Sequence, residues 1–260
     1  MPRLNEHNTV LLSRSNLPSI LEYLSERLFA SFGCQVHIVA HGGAVMVLHP
    51  KLACRSSTRD IDFCLRSFVT EWQKKGFYDA EARLNKCIKA TAKHFGLGED
   101  WMNAHADVAL PMATDSKGRP YDPIYYDAIN PNNIANNSIY SSRGLLLIGV
   151  TWPWAVALKL VRYQKDDPTD IAHILTLGFR SQGIEWTEAI MEDWLKKACS
   201  AMGYDWYPRE VMEQTRQRMS HAISLALNLL TQERLRFLLR HHLGLRRPMS
   251  LVHHTATPSR

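Results

Sequence analysis

The chain has 260 residues and no apolar run long enough to span a bilayer, nor a charged-then-apolar segment at its start. No membrane partner is therefore expected, and a cytoplasmic location follows by default. Cysteine is sparse. The five residues (34, 54, 64, 87 and 199) are scattered, odd in number and without metal-ligand spacing. That argues against a disulfide framework or a thiolate zinc site and for free thiols in a reducing compartment. Serine or cysteine nucleophile motifs with a histidine partner are missing, as are repeats and low-complexity tracts. Acid is lacking in one place: from Thr231 to Arg260 there are six arginines (234, 236, 240, 246, 247 and 260) against Glu233, a net of +5. The whole chain carries +6, so the rest is close to neutral. Aromatic residues, which hold single strands by stacking, are nearly absent from this end, Phe237 aside. An RNA-binding end therefore competes with a plain solvated helix face.

Ordinary hydrophobic content and a length sufficient for a real core indicate a globular protein. The pattern predicts an α/β (α+β) fold, a small mixed sheet with a helical C-terminal part, divided as 1-150 and 151-260. Leu17, Ile20, Leu21, Leu24 and Leu28 share a helix face that ends at Gly33. Residues 35–40 and 145–150 read as apolar strands, and 44–48 as a short helix stopped by Pro50. Residues 70–95 read as helical with a break at Gly76. The Asn- and Pro-rich stretch 112–143 has little regular pattern; 123–126 and 139–140 are candidate edge strands. Helices are expected from Thr151 through Tyr163, then from Asp167-Pro168, Glu185, Pro208 and Thr231. The tryptophans at 152, 154, 186 and 194 read as core and helix-packing residues rather than a base-stacking site, with Trp186, Ile190 and Trp194 forming an i, i+4 stripe.

The richest stretch runs from Ile38 to Leu65. An apolar strand ends in Gly42-Gly43, and a second strand opens with Asp60 and Asp62. Successive strand residues point to opposite faces, so the two acids share a face while Ile61 and Phe63 point into the core. Carboxylates this close repel unless a cation lies between them or one is protonated. Such hard oxygen ligands suit Mg²⁺ (or Mn²⁺) held with substrate phosphates, and a glycine turn lets phosphate oxygens approach backbone N–H groups. The bland reading is a surface strand whose acids pair with Arg55, Arg59 or Arg66 at little energetic gain.

The G-G-x-A turn followed by R-x-x-T-R-D-I-D resembles the nucleotidyltransferase superfamily, which has the DNA polymerase β catalytic fold, and within it the minimal and AbiEii-like toxin branch. The resemblance covers roughly residues 36 to 175. It includes Trp101-Met102-Asn103, Asp107 in H-A-D-V-A-L-P as a third carboxylate on a short strand, and the A-L-K-L helix followed by Asp167-x-x-Asp170-Ile. Gly-Gly stands where relatives carry Gly-Ser, and Lys165-Asp166 where they carry an arginine. The resemblance implies Mg²⁺-dependent transfer of a nucleoside monophosphate from an NTP such as ATP to an acceptor hydroxyl, with release of pyrophosphate. Asp60, Asp62 and Asp107 would be catalytic and hold metal. Gly42, Gly43, Arg55, Thr58, Arg59, Lys159 and Arg162 would bind nucleotide. Asp167 reads as a helix cap, and Asp170 as a cap or a partner of Lys159. The acceptor is RNA, by resemblance tRNA, reached through the Arg-rich end, or a small molecule. The alternative is a catalytically inactive nucleotide-binding or regulatory protein of the same fold.

Overall fold

A computed structural model describes residues 6–52 and 54–243, with side chains up to residue 239. Strand β1 (Leu12–Ser13) precedes helix α1 (Leu17–Phe32), whose apolar stripe is buried and whose C-terminus is closed by Gly33 in the left-handed conformation. Strand β2 (Val36–His41) then runs through the turn into α2 (Gly43–Leu48). Strands β3 (Ser57–Thr58) and β4 (Ile61–Phe63) follow, and then α3 (Leu65–Lys74) and α4 (Ala80–Phe95), separated around Gly76 as the sequence predicts. After β5 (Met102–Asn103), a hairpin of β6 (Ala113–Thr114) and β7 (Pro120–Tyr121) leads to α5 (Pro123–Ala128) and α6 (Pro131–Asn137). The final strands are β8 (Ser138–Ser141) and β9 (Leu145–Gly149). Helices α7 (Trp152–Arg162), α8 (Asp167–Gln182), α9 (Glu188–Ala198) and α10 (Arg209–Leu243) complete the described chain.

Five strands form one mixed sheet in the order β5-β4-β2-β9-β8. β2 lies at its centre, parallel to β9 and antiparallel to β4, with His41 opposite Asp62. The two faces of the sheet bury different things. Val36, Ile38 and Ala40 of β2, with Ile61 and Phe63 of β4, pack against α1 and α4. Val39 on the opposite face packs with residues of α7, α8 and α10. The period-two alternation therefore also sends His41 and Asp62 toward the helical side.

Several expected elements come out differently. Residues 123–126 are the start of α5, not a strand: Asp122 accepts from Tyr125 N at 3.0 Å and Pro123 takes the first helical position. Residues 139–140 do lie in an edge strand, β8. Thr231 starts no helix. α10 runs straight through it, and its hydroxyl donates back to Leu227 O at 2.9 Å. Of the tryptophans, Trp154 is core and Trp152, Trp186 and Trp194 are half-buried and packed against the helical core, as expected of helix-packing residues, whereas Ile190 is exposed. Trp186 lies before α9, so no i, i+4 stripe forms. Among the described residues no helix is long and apolar enough to cross a membrane. Arg234 and Arg236 are exposed on α10; the side chain of Arg240, and Arg246, Arg247 and Arg260, lie outside what is described.

Candidate functional site

The turn after β2 is tight because Gly42 sits at φ 72°, a conformation side chains other than glycine's rarely adopt. Its backbone lies directly against the acid strand. A Cβ on Gly42 would stand 2.6 Å from Asp62 Oδ2, and one on Gly43 would stand 2.5 Å from Thr58 Oγ1 and 3.2 Å from Arg55 Nη1. Five of the expected residues, Gly42, Gly43, Arg55, Thr58 and Asp62, thus meet within one turn's width; Gly42 is held to glycine by its backbone angle, and a side chain at Gly43 would displace Thr58.

A cavity of about 460 Å³ opens beside this turn. Gly42, Asp62, Lys159 and Arg162 line it, together with His41 and an apolar wall that includes Leu158 and Tyr207. Ile61 and Phe63 are fully buried on the far side of the strand, while Asp62 is half-buried on the cavity side. Burial, the neighbouring Asp62 carboxylate and Asp100 push the Asp60 carboxyl above its ordinary range, against Arg162 and a hydrogen bond with Thr58. Burial likewise raises Asp62, more than the charges of Arg162, Lys159 and His105 lower it. The strand does not open with Asp60 as expected: β4 begins at Ile61, and Asp60, half-buried just before it, does not line the cavity, although its carboxyl is close enough to feel that of Asp62.

The cations stand next door but are committed elsewhere. Lys159, 4% exposed, donates to Asp170 Oδ2 at 2.6 Å and lies 3.5 Å from Asp167 Oδ1. Arg162 makes a two-pronged pair with Asp167 at 2.9 and 2.8 Å. Arg55 forks onto Asp170, with Nε 2.8 Å from Oδ1, and reaches Asp166 at 3.2 Å. Three cations and three acids from the α2–β3 loop, α7 and the start of α8 thus close a network. Asp170 does hold Lys159, as one of its sequence readings has it. Asp167 is not the cap expected of it. Asp166 is the N-cap, and Asp167 sits one position inside the helix, accepting from Gln164 N at 3.0 Å.

Asp107 is not on a strand. Asn103 Oδ1 accepts from His105 N at 3.0 Å, which turns the chain at once into a 3₁₀ turn over His105–Ala109. There Asp107 is buried, and its Oδ2 accepts the Arg66 backbone N–H at 2.8 Å. Its other oxygen, Oδ1, is buried without a partner. Among the described residues no group of three or more His, Cys, Asp or Glu is arranged to hold a metal ion. Asp60 and Asp62 are therefore a pair without the third carboxylate expected of Asp107. Arg59 is exposed, and its side chain makes no hydrogen bond or ion pair among the described residues; only its backbone oxygen is used, by Asn8 Nδ2 at 2.6 Å.

Sequence reasoning missed His41. It is 6% exposed, lines the cavity opposite Asp62, and its Nε2 has no hydrogen-bond partner. Burial and the nearby Lys159 charge hold its pKa down at about 4, so it is a neutral ring at physiological pH. The available signal was its parity: it shares a strand face with Val39, across from Asp62. Comparison of the chain with family models, with curated proteins and with solved structures found no match.

Proposed function

We propose that the protein is a divalent-metal-dependent nucleotidyltransferase, moving a nucleoside monophosphate from an NTP to an acceptor hydroxyl with release of pyrophosphate. One observation carries this reading: Gly42 of the turn, the acid Asp62 and the cations Lys159 and Arg162 line a single cavity, and Asp60 lies two residues before Asp62, just ahead of the acid strand. The resemblance of the G-G-x-A and R-D-I-D segments to the nucleotidyltransferase superfamily agrees with it. So does the donor set. Two half-buried acids that repel each other fit Mg²⁺ or Mn²⁺, which is commonly held by one or two carboxylates plus substrate phosphates. The ion, held by Asp60 and Asp62, would neutralise phosphate charge and lower the pKa of the acceptor hydroxyl.

The chain's own groups have separable tasks in this reading. The Gly42-Gly43 backbone approaches phosphate where no side chain obstructs it. Lys159 has three N–H donors and gives two directions to Asp170 and Asp167, which leaves one for a phosphate oxygen. Arg162 uses Nε and Nη2 on Asp167 and keeps its Nη1 edge free. Asp166, Asp167 and Asp170 already balance Arg55, Lys159 and Arg162, which leaves Asp60 and Asp62 with Arg59 as the nearby cation that has no ion pair among the described residues. A triphosphate would be repelled without the metal. The apolar wall excludes water from the reacting atoms, which strengthens each charge interaction there.

A second reading is favoured by the missing third carboxylate: a nucleotide-binding protein of the same fold that does not turn over. Incubating the protein with each labelled NTP, Mg²⁺ or Mn²⁺, and RNA, protein or small-molecule acceptors decides between them. Labelled product with pyrophosphate supports the transferase. Tight NTP binding with neither supports the second reading, and no NTP binding at all sinks both.

A further inference from the structure

A second cavity of about 730 Å³ lies between α6, the start of α7, the end of α8 and α9, within the range of small-molecule sites. No residue lines both cavities. Its wall is aromatic and held from behind. Trp186 donates Nε1 to Leu175 O at 2.8 Å, and its ring lies so close to α8 that a Cβ on Gly178 would stand 2.9 Å from it. Trp194 packs against Trp186 with ring centres 5.1 Å apart, and Trp152 meets His49 edge-on at 4.8 Å. Facing these rings are the exposed amides of Asn132 and Asn136. The Asn132 side chain makes no hydrogen bond among the described residues, and Asn136 uses only Nδ2, toward Asn132 O.

Charge distinguishes the possible ligands. Lys51 lines the cavity and forms no ion pair among the described residues, whereas Lys197 is held by Asp193 at 2.7 Å. The single lining acid, Asp127, is engaged by Trp154 Nε1 at 2.7 Å. Thr151, the N-cap of α7, makes no side-chain cap hydrogen bond, and although Pro153 in the first turn has no N–H, the helix start adds positive potential at the same rim. Aromatic faces with amide edges suit a flat heterocycle or a sugar. The free lysine and the uncapped helix start add a place for a negative group, which a neutral sugar does not use.

We infer that this cavity binds a single nucleotide unit: a heterocycle against the tryptophans, its edge read by Asn132 and Asn136, and a phosphate at Lys51 and the start of α7. The site does not depend on Asp60 and Asp62. At 1.5 Å of rise per residue, Trp152 and Lys159 are roughly 10 Å apart along α7, so both cavities address the same helix.

The test uses the full chain carrying Asp60→Asn and Asp62→Asn, with chelator present, so that the first cavity binds no metal-nucleotide. Each nucleoside monophosphate, a short unpaired oligonucleotide and a neutral oligosaccharide are titrated by equilibrium dialysis. Saturable nucleotide binding is expected, weakened roughly tenfold by Lys51→Ala or Asn132→Ala, the size of one lost hydrogen bond to a charged or edge group. Both positions are exposed, so these variants fold; Trp194→Ala should weaken binding further. Equal affinity for monophosphate and oligonucleotide identifies a free nucleotide, and much tighter oligonucleotide binding identifies a unit within a strand. Preference for the oligosaccharide, no saturation by millimolar nucleotide, or binding indifferent to Lys51→Ala and Asn132→Ala overturns the assignment. The transfer assay above is read separately and can fail or succeed without it.

Discussion

Two groups of aspartates lie within the same site and are treated oppositely by it. Asp60 and Asp62 are half-buried, lack a full complement of cations, and are pushed above the ordinary carboxylate range. Asp167 is completely buried, and burial is the strongest single influence on it, pushing upward. Arg162, the Gln164 N–H and Lys159 together outweigh that, so its pKa falls below the ordinary value. Depth therefore does not decide the matter. What differs is whether the fold has supplied partners. The α7–α8 network is a finished structural joint, whereas Asp60 and Asp62 have no such set of partners among the described residues.

The largest expected effect comes from opening the closed joint. Lys159→Met leaves Asp167 and Asp170, at 0% and 1% exposure, short of a cation; we expect a stability loss of about 3–5 kcal/mol, measured by urea unfolding. A loss below about 1 kcal/mol would show that the network is not a structural unit. Next is the open pair. Asp60→Asn with Asp62→Asn should lower nucleotidyl transfer on the order of 10²–10³-fold or more, as loss of an electrostatic centre does. Stability at pH 7 should hold or rise. Destabilisation as large as that of Lys159→Met would erase the contrast.

The pH dependence then has opposite signs in the two groups. Asp60 and Asp62 have raised folded pKa values, so ionising them disfavours folding as pH rises through those values. Wild type and the double Asn variant should be equally stable below about pH 4 and separate above it, the variant being the more stable. Asp167 has a lowered folded pKa, so the cost of Asp167→Asn should be greatest at neutral pH and shrink as pH falls through that pKa. Added Mg²⁺ should stabilise the wild type, by about 2.7 kcal/mol at a hundred times its Kd, and leave the double Asn variant unmoved. Smallest of all, Arg59→Ala should change stability by less than about 0.5 kcal/mol, since the side chain is exposed and unpaired. An unchanged NTP affinity in that variant would also remove it from the site.

Much of the frame is written locally in the sequence. α1, α7 and α8 carry a 3.6-residue apolar period with clear punctuation, β2 and β9 are apolar runs, and the alternation around Asp60–Phe63 fixes which side chains face the core. What was not legible depends on partners distant in sequence. Arg55 finds Asp170 across more than a hundred residues, and no local pattern announces that the cations near the glycine turn are already neutralised. Asp107 departs from its expected strand for a nearer reason. Its apolar flanks look like a strand, yet the Asn103 side chain turns the backbone before a strand can form. Asp122-Pro123 was a readable helix start, overridden by the short apolar run after it. His41 looked like part of an apolar strand because its importance comes from the residue facing it on β4.

The parallel pairing of β2 with β9 has a consequence in time. It joins Val36–Ala40 to Leu145–Gly149, about a hundred residues later in the chain. At the usual 5–20 residues per second of synthesis, roughly 5–20 s pass between the emergence of the central strand and that of the neighbour that completes its pairing. Through that interval β2 presents an apolar strand with one side unpaired, the kind of edge that recruits other chains. The strand that bears the glycine turn is thus a segment that gains from protection while the chain is being made.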